Sequence, residues 1–293
     1  QEPVDHHVFR SKDGMWHLWG CIRGTAVGRV LYRWESDSLE KEHWNQTGEV
    51  MRADRSAGES INDWRAQEWI QSPFCITYEG RWYMFYGGHG TGESESGARA
   101  WASGGATNPG MDCQICLMTS NDGRAWERHA NDRGQSRVFI GPGESRDPCL
   151  LRVEGHWYLY YAGFHAGDQA KPGFYVRTSE DLVNWSRWRL VHFDQRGRYG
   201  SGNWDCECPH VVYRAGYYYL FRTETYGTAK THVFRSENPT DFGIGNADVW
   251  YVGPIDAAAA EIIVDPESGQ EYISSNHDLD GGTRMSRLAW VED

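Results

Sequence analysis

What is missing narrows the field first. No stretch of the 293 residues approaches the roughly 18 consecutive apolar residues of a membrane-spanning helix, and Gln1 does not open a charged-then-apolar leader, so no membrane partner is expected. Basic residues are scarce: 29 stand against 41 acidic ones, and the net charge of -12 repels both a phosphate backbone and anionic lipid. Nucleic acid is therefore not an expected partner. Helical periodicity is nearly absent, and no stretch follows the EF-hand calcium loop. The seven cysteines, an odd number, cannot form a complete disulfide framework, so their count leaves secreted, periplasmic and cytoplasmic homes open.

Two cysteine pairs, Cys113/Cys116 and Cys206/Cys208, have spacings that a zinc site would use. Both lie in strand-like stretches without the tight loops of a zinc ribbon, and they read more simply as small buried residues.

What is present is a repeat. Composition that is 39% hydrophobic and 14% aromatic supports a sizeable core. Three stretches share one register: SPFCITYEGRWYMFYGG from Ser72, DPCLLRVEGHWYLYYAG from Asp147 and ECPHVVYRAGYYYLFRT from Glu207. Pro73, Pro148 and Pro209 each precede a turn glycine (Gly80, Gly155, Gly216) by seven residues, and an aromatic-rich strand follows each glycine. Looser copies begin at Asp5 and Ala260. Trp16, Trp82, Trp157, Tyr218 and Glu271 mark equivalent positions, spaced 66, 75, 61 and 53 residues apart.

Five such modules predict an all-β fold, a five-bladed β-propeller occupying residues 1–293 as one domain. A β-sandwich has no reason to repeat a hairpin-plus-strand unit five times. The Gly- and Ser-rich stretch from His89 to Gly110 reads as a surface loop over the mouth of a site.

In a propeller the first strand of each blade lines the central channel, so residues at the strand heads converge. The repeats place Asp5, Ser72, Asp147 and Glu207 there, with an alanine and nearby Glu261 in the fifth unit. A single acid at a strand start solvates a chain end or binds turn amides. Three in register suit cation binding or carboxylates whose proton affinities are driven apart, as glycoside hydrolysis requires. Asp205, two residues before Glu207, is the alternative acid.

Asp5, the RDP at 146–148 and the ECPH at 207–210 resemble the acid triad of the five-bladed propeller glycosidases of families 43 and 32. Likeness to family 43 implies an inverting hydrolase, with Asp5 as general base, Asp147 as modulator and orienter, and Glu207 as general acid. Likeness to family 32 implies retention, with Asp5 as nucleophile. DHH at Asp5 to His7 departs from both patterns. His6, His7, Ser72, Arg146, Trp204, His210, Arg222 and Glu261 are the candidate substrate contacts, Trp204 as a stacking platform and His210 as a donor.

The resemblance implies no required cofactor. It allows a structural calcium near the axis, with His277 as a candidate ligand. The expected substrate is an oligosaccharide or polysaccharide, a furanoside or related plant or microbial glycan. A propeller that binds carbohydrate without cleaving it is the rival reading.

Overall fold

The computed structural model of the chain describes residues 3–60, 67–88, 113–143, 145–165, 171–199, 205–276 and 282–291. They form an all-β molecule in which an antiparallel unit recurs five times. Unit one holds β1 (Pro3–Arg10), β2 (Trp16–Ile22), β3 (Gly28–Ser36) and β4 (Asn45–Met51), each paired with the next. Unit two runs β5 (Glu68–Tyr78), β6 (Arg81–Gly88) and β7 (Gln114–Ser120), with β8 (Glu127–Arg128) and β9 (Arg137–Ile140) both on β7. Unit three is β10 (Arg146–Val153), β11 (His156–His165), β12 (Lys171–Ser179) and β13 (Arg189–Asp194).

Unit four contains β14 (Glu207–Arg214), β15 (Tyr217–Thr225) and β16 (Lys230–Ser236). Its connecting strand β17 (Ile244–Gly245) pairs in parallel with β13, and β18 (Tyr251–Asp256) closes it on β16. Unit five has β19 (Glu261–Val264), β20 (Glu271–Asn276) and β21 (Thr283–Arg287).

The hairpins form where the repeats place them. Between first and second strands stand Glu79-Gly80, Glu154-Gly155 and Ala215-Gly216, and both residues of each pair have positive φ (50° and 73°, 49° and 88°, 49° and 89°). That is a two-residue type I′ turn, whose twist matches the strands and whose second position glycine occupies without strain.

The apolar faces are buried between units rather than within one central slab. Trp19 and Leu31 of unit one pack with Ile70, Met84 and Cys116 of unit two. Phe85 and Leu117 pack with Leu159 and Tyr175, and Tyr160 and Phe174 with Leu220 and Phe234. Phe221 and Val233 meet Ala257 and Ala260. The last cluster joins Ile263 and Tyr272 of unit five to Val8, Trp16 and Leu18 of unit one. The first strands are neighbours in the same cyclic order, β1 beside β5, β5 beside β10, β10 beside β14, β14 beside β19 and β19 beside β1. Each fully buried Leu or Phe contributes roughly 1.5–3 kcal/mol of transfer free energy to these contacts.

At the head of the first strands the ladder breaks, between Val4 and His6, Gln71 and Phe74, Arg146 and Cys149, and Glu207 and His210. The first residue in each break is left-handed: Asp5 (φ 50°), Ser72 (54°), Asp147 (57°) and Cys208 (48°), the last three followed by proline, with Ala259 (48°) just ahead of β19. None is glycine, so each stores about 1–3 kcal/mol of strain, and the bulge turns its side chain towards the neighbouring strand heads. This corrects the repeat alignment by one residue. Cys208, not Glu207, is the equivalent of Ser72 and Asp147, while Glu207 matches Gln71 and Arg146, the last paired residues before the break.

Candidate active site

Asp147 stands at the middle of the site. Its carboxylate accepts from Ser72 Oγ at 2.6 Å, from the Cys208 amide at 3.0 Å and from Arg146 Nη1 at 3.1 Å. Arg146 uses its other terminal nitrogen on Glu207, 3.2 Å from Oε1, so one guanidinium spans two of the three predicted acids. Burial pushes the Asp147 carboxyl above the ordinary carboxylate range; Arg146 opposes this and the Asp5 charge adds to it.

Asp5 arrives from unit one and is held from unit four. Tyr226 Oη donates to its Oδ1 at 2.6 Å, and the Cys208 thiol lies 3.6 Å from the same oxygen. Burial pushes the Tyr226 hydroxyl and the Cys208 thiol well above their usual values, so both are neutral donors here. Asp5, Asp147 and Glu207, far apart in sequence, are thus brought into one connected site.

Behind them the axis is lined with buried imidazoles. His7 Nδ1 lies 2.9 Å from Glu261 Oε2 and its Nε2 lies 2.9 Å from the Cys75 carbonyl. Both ring nitrogens of His7 face oxygen atoms. Burial works to raise the Glu261 carboxyl, but His7 prevails and holds it below the usual range. His210 accepts from the Ile262 amide through Nε2, and burial lowers it to about 4, so it is neutral. His6 Nε2 meets Ser274 Oγ at 2.7 Å.

The predicted contact residues have these partners. Ser72 donates to Asp147, and His7 and Glu261 pair with each other. Arg222 is 2% exposed; it donates to the Asp205 carbonyl at 3.1 and 2.8 Å and meets His192 Nε2 at 3.2 Å, bracing the segment ahead of β14. Asp205 precedes β14 in a bend, not on its strand face. His6 and His210 line a cavity of about 20 Å³ behind the acids, room for one water rather than a sugar ring. Arg146 remains beside the acids, as expected. Trp204, His277 and the stretch His89 to Gly110 lie outside the described residues.

Two residues of the site had gone unassigned. Cys208 was visible as the residue preceding Pro209, as Ser72 precedes Pro73 and Asp147 precedes Pro148. Tyr226 carried no such signal, because it lies in the turn after β15 and reaches a carboxylate 221 residues away.

The donors do not suit calcium, which takes 6–8 oxygen ligands. Among the described residues the axial cavity presents imidazole nitrogens and a thiol beside only three carboxylates.

The structure is similar to the α-L-arabinanase of Cellvibrio cellulosa (TM-score 0.68, 14% identity, 99% of this chain and 93% of that one), which has also been solved in complex with arabinohexaose. It is likewise similar to an exo-1,5-α-L-arabinanase from a bovine ruminal metagenomic library (TM-score 0.66, 17% identity, 99% and 94%) and to the α-L-arabinofuranosidase of Lactobacillus brevis (0.65, 9%, 99% and 91%). At these identities the likeness is one of fold. A search of curated protein sequences finds no match. The family model for "Glycosyl hydrolases family 43" matches residues 25–243, three quarters of the sequence, and spans the Arg146–Asp147 and Glu207–Cys208 strand heads. By that match the chain belongs to glycosyl hydrolases family 43, and it is a glycosidase.

Proposed function

We propose that the chain is a single-domain, closed five-bladed propeller that hydrolyses a pentofuranoside or related linkage of a plant polysaccharide with inversion, using no cofactor. The observation that carries this is the union of Asp5, Asp147 and Glu207 through Arg146, the Cys208 amide and Tyr226. The cyclic order of the first strands and the core shared by units five and one support the ring.

In this reading Asp5, oriented by Tyr226, takes a proton from the attacking water. Glu207 delivers one to the leaving oxygen, moving from Arg146 to the glycosidic bond as substrate enters. Asp147 keeps Arg146 and the strand head in place throughout, and its charge opposes loss of the Glu207 proton to solvent. The strand-head bulges set these side chains on rigid sheet rather than on loops.

The test is hydrolysis of aryl and natural arabinofuranosides, xylosides, galactosides and fructans by wild type and Glu207→Gln, with proton NMR of the first-formed anomer. Loss of cleavage in the variant and an inverted first anomer support the reading. A retained anomer, or equal turnover by both proteins, overturns it.

A further inference from the structure

Cys208 is the one cysteine whose thiol reaches the acids. Asp5, Asp147 and Cys208 each offer one ligand atom, and these atoms all lie within 4.8 Å of one another. Cys208 Sγ stands 3.6 Å from Asp5 Oδ1. With zinc–sulfur and zinc–oxygen bonds of about 2.3 and 2.0 Å, a tetrahedral centre sets sulfur and oxygen about 3.5 Å apart. That edge is already formed.

A second observation points the same way. His6 is 3% exposed and lines the same cavity; its Nε2 is used by Ser274, but its Nδ1 has no hydrogen-bond partner. His6 lies outside the three-atom cluster but lines the same cavity, and two carboxylates and a thiol with an imidazole nearby suit a borderline or soft cation, where calcium is disfavoured. The cavity of about 20 Å³ accommodates one water.

We propose that Asp5, Asp147 and Cys208, with His6 behind them, form a site for one thiophilic divalent cation, zinc or cadmium, and that its occupation blocks hydrolysis. The metal takes one oxygen from each carboxylate and the Cys208 sulfur, with the cavity water as the fourth donor and His6 holding that water. The thiol proton leaves to buffer as the metal–sulfur bond forms, and no redox change occurs. Tyr226 and Arg146 remain on Asp5 and Asp147, which keep lone pairs for both uses. The blocking half of the proposal rests on the catalytic role given to Asp5; the binding half does not.

The experiment is calorimetric titration of the intact chain with zinc, cadmium, calcium and magnesium chlorides, alongside cobalt(II) absorption and hydrolysis rates. One equivalent of zinc and of cadmium should bind, cobalt should give a thiolate charge-transfer band in the near ultraviolet, and calcium and magnesium should not compete. Cys208→Ser should lose the band and bind zinc roughly 100-fold more weakly. His6→Gln, which spares the thiol, should keep the band and weaken binding about tenfold. No binding, equal binding by wild type and Cys208→Ser, or calcium as tight as zinc overturns the site. Stoichiometric binding with the sulfur band but undiminished hydrolysis overturns the blocking and, with it, the role of Asp5.

Discussion

Asp147→Asn separates the charge of the central carboxylate from its shape. All three partners of Asp147 are donors, yet an amide can still serve them: its oxygen turned to the Cys208 amide and Arg146, its nitrogen donating to Ser72 Oγ, which also accepts. Two charge-assisted bonds then fall from about 1.5–3 to about 0.5–1.5 kcal/mol each, a loss of roughly 2–3 kcal/mol. Against this, a buried ion whose desolvation costs several kcal/mol is gone. The two changes are of like size, so Asp147→Asn should melt within about 4 °C of wild type at pH 7, or above it, at about 2–4 °C per kcal/mol.

Asp147→Ala should behave otherwise. It leaves the Cys208 amide and one arm of Arg146 unsatisfied in a buried site, costing about 1–3 kcal/mol each and lowering the melting temperature by about 5–20 °C. Because burial raises the Asp147 carboxyl in the folded chain, the fold binds that proton more tightly than the unfolded chain does. Ionisation therefore weakens wild type as pH rises above the unfolded value of about 3.9, and the gap should move in favour of the amide on going from acid to neutral pH. Thermal melts of the three proteins from pH 4 to 8, with kcat measured on the same samples, decide the matter. Both variants should lose about 100-fold or more in kcat. An amide variant that melts as low as the alanine one, or a gap that moves the other way with pH, refutes the reasoning.

Further tests address the neighbours. Glu207→Gln should lose about 10²–10⁴ in kcat/KM on substrates with poor leaving groups, and a variant indistinguishable from wild type removes Glu207 as the acid. Tyr226→Phe deletes the 2.6 Å bond to Asp5 without changing volume; a loss of about 1.5–3 kcal/mol should lower kcat roughly 10- to 100-fold with KM little changed. Glu261→Gln should be mild, because the amide keeps a hydrogen-bond partner for His7 Nδ1, whereas Glu261→Ala leaves that buried nitrogen unsatisfied at about 1–3 kcal/mol. Glu261 is held below its usual range, so its stabilisation is present above the unfolded value of about 4.3 and is lost as pH falls through the folded one. The glutamine variant should not share that acid limb in its melts. Arg222→Gln should lower the melting temperature while leaving KM unchanged, the reverse of a sugar contact.

The hairpins were legible because proline, turn glycine and aromatic strand recur in one register, and each feature has a backbone cause. Which acids meet was legible for the same reason. The one-residue slip at Glu207 arose because a bulge breaks the alternation of a strand, and alternation is all that a repeat alignment can follow. For Arg222 the strand was readable, but not that its guanidinium turns back to the Asp205 carbonyl. Tyr226 was hidden by distance along the chain, since a turn residue shows nothing of what it reaches. The His7–Glu261 pair joins the first unit to the last, and only folding reveals that those units are neighbours.

That first-to-last boundary differs from the one between units one and two, where β3 and β5 share backbone pairing. Among the described residues no ladder crosses it. It is fastened by side chains: His7 to Glu261, His6 to Ser274, Arg10 to Glu267, and Glu40 to Tyr272 and Arg287, over the small core at Trp16 and Tyr272. Unit five is also the shortest, with three strands of four to six residues. Sub-global opening should therefore begin there, and amides of β19–β21 should exchange with deuterium ahead of those in β10–β12. Such an opening withdraws Glu261 and Ser274 from behind Asp5 while the other four units persist. Heat should silence the enzyme some degrees before it erases the strand signal in circular dichroism.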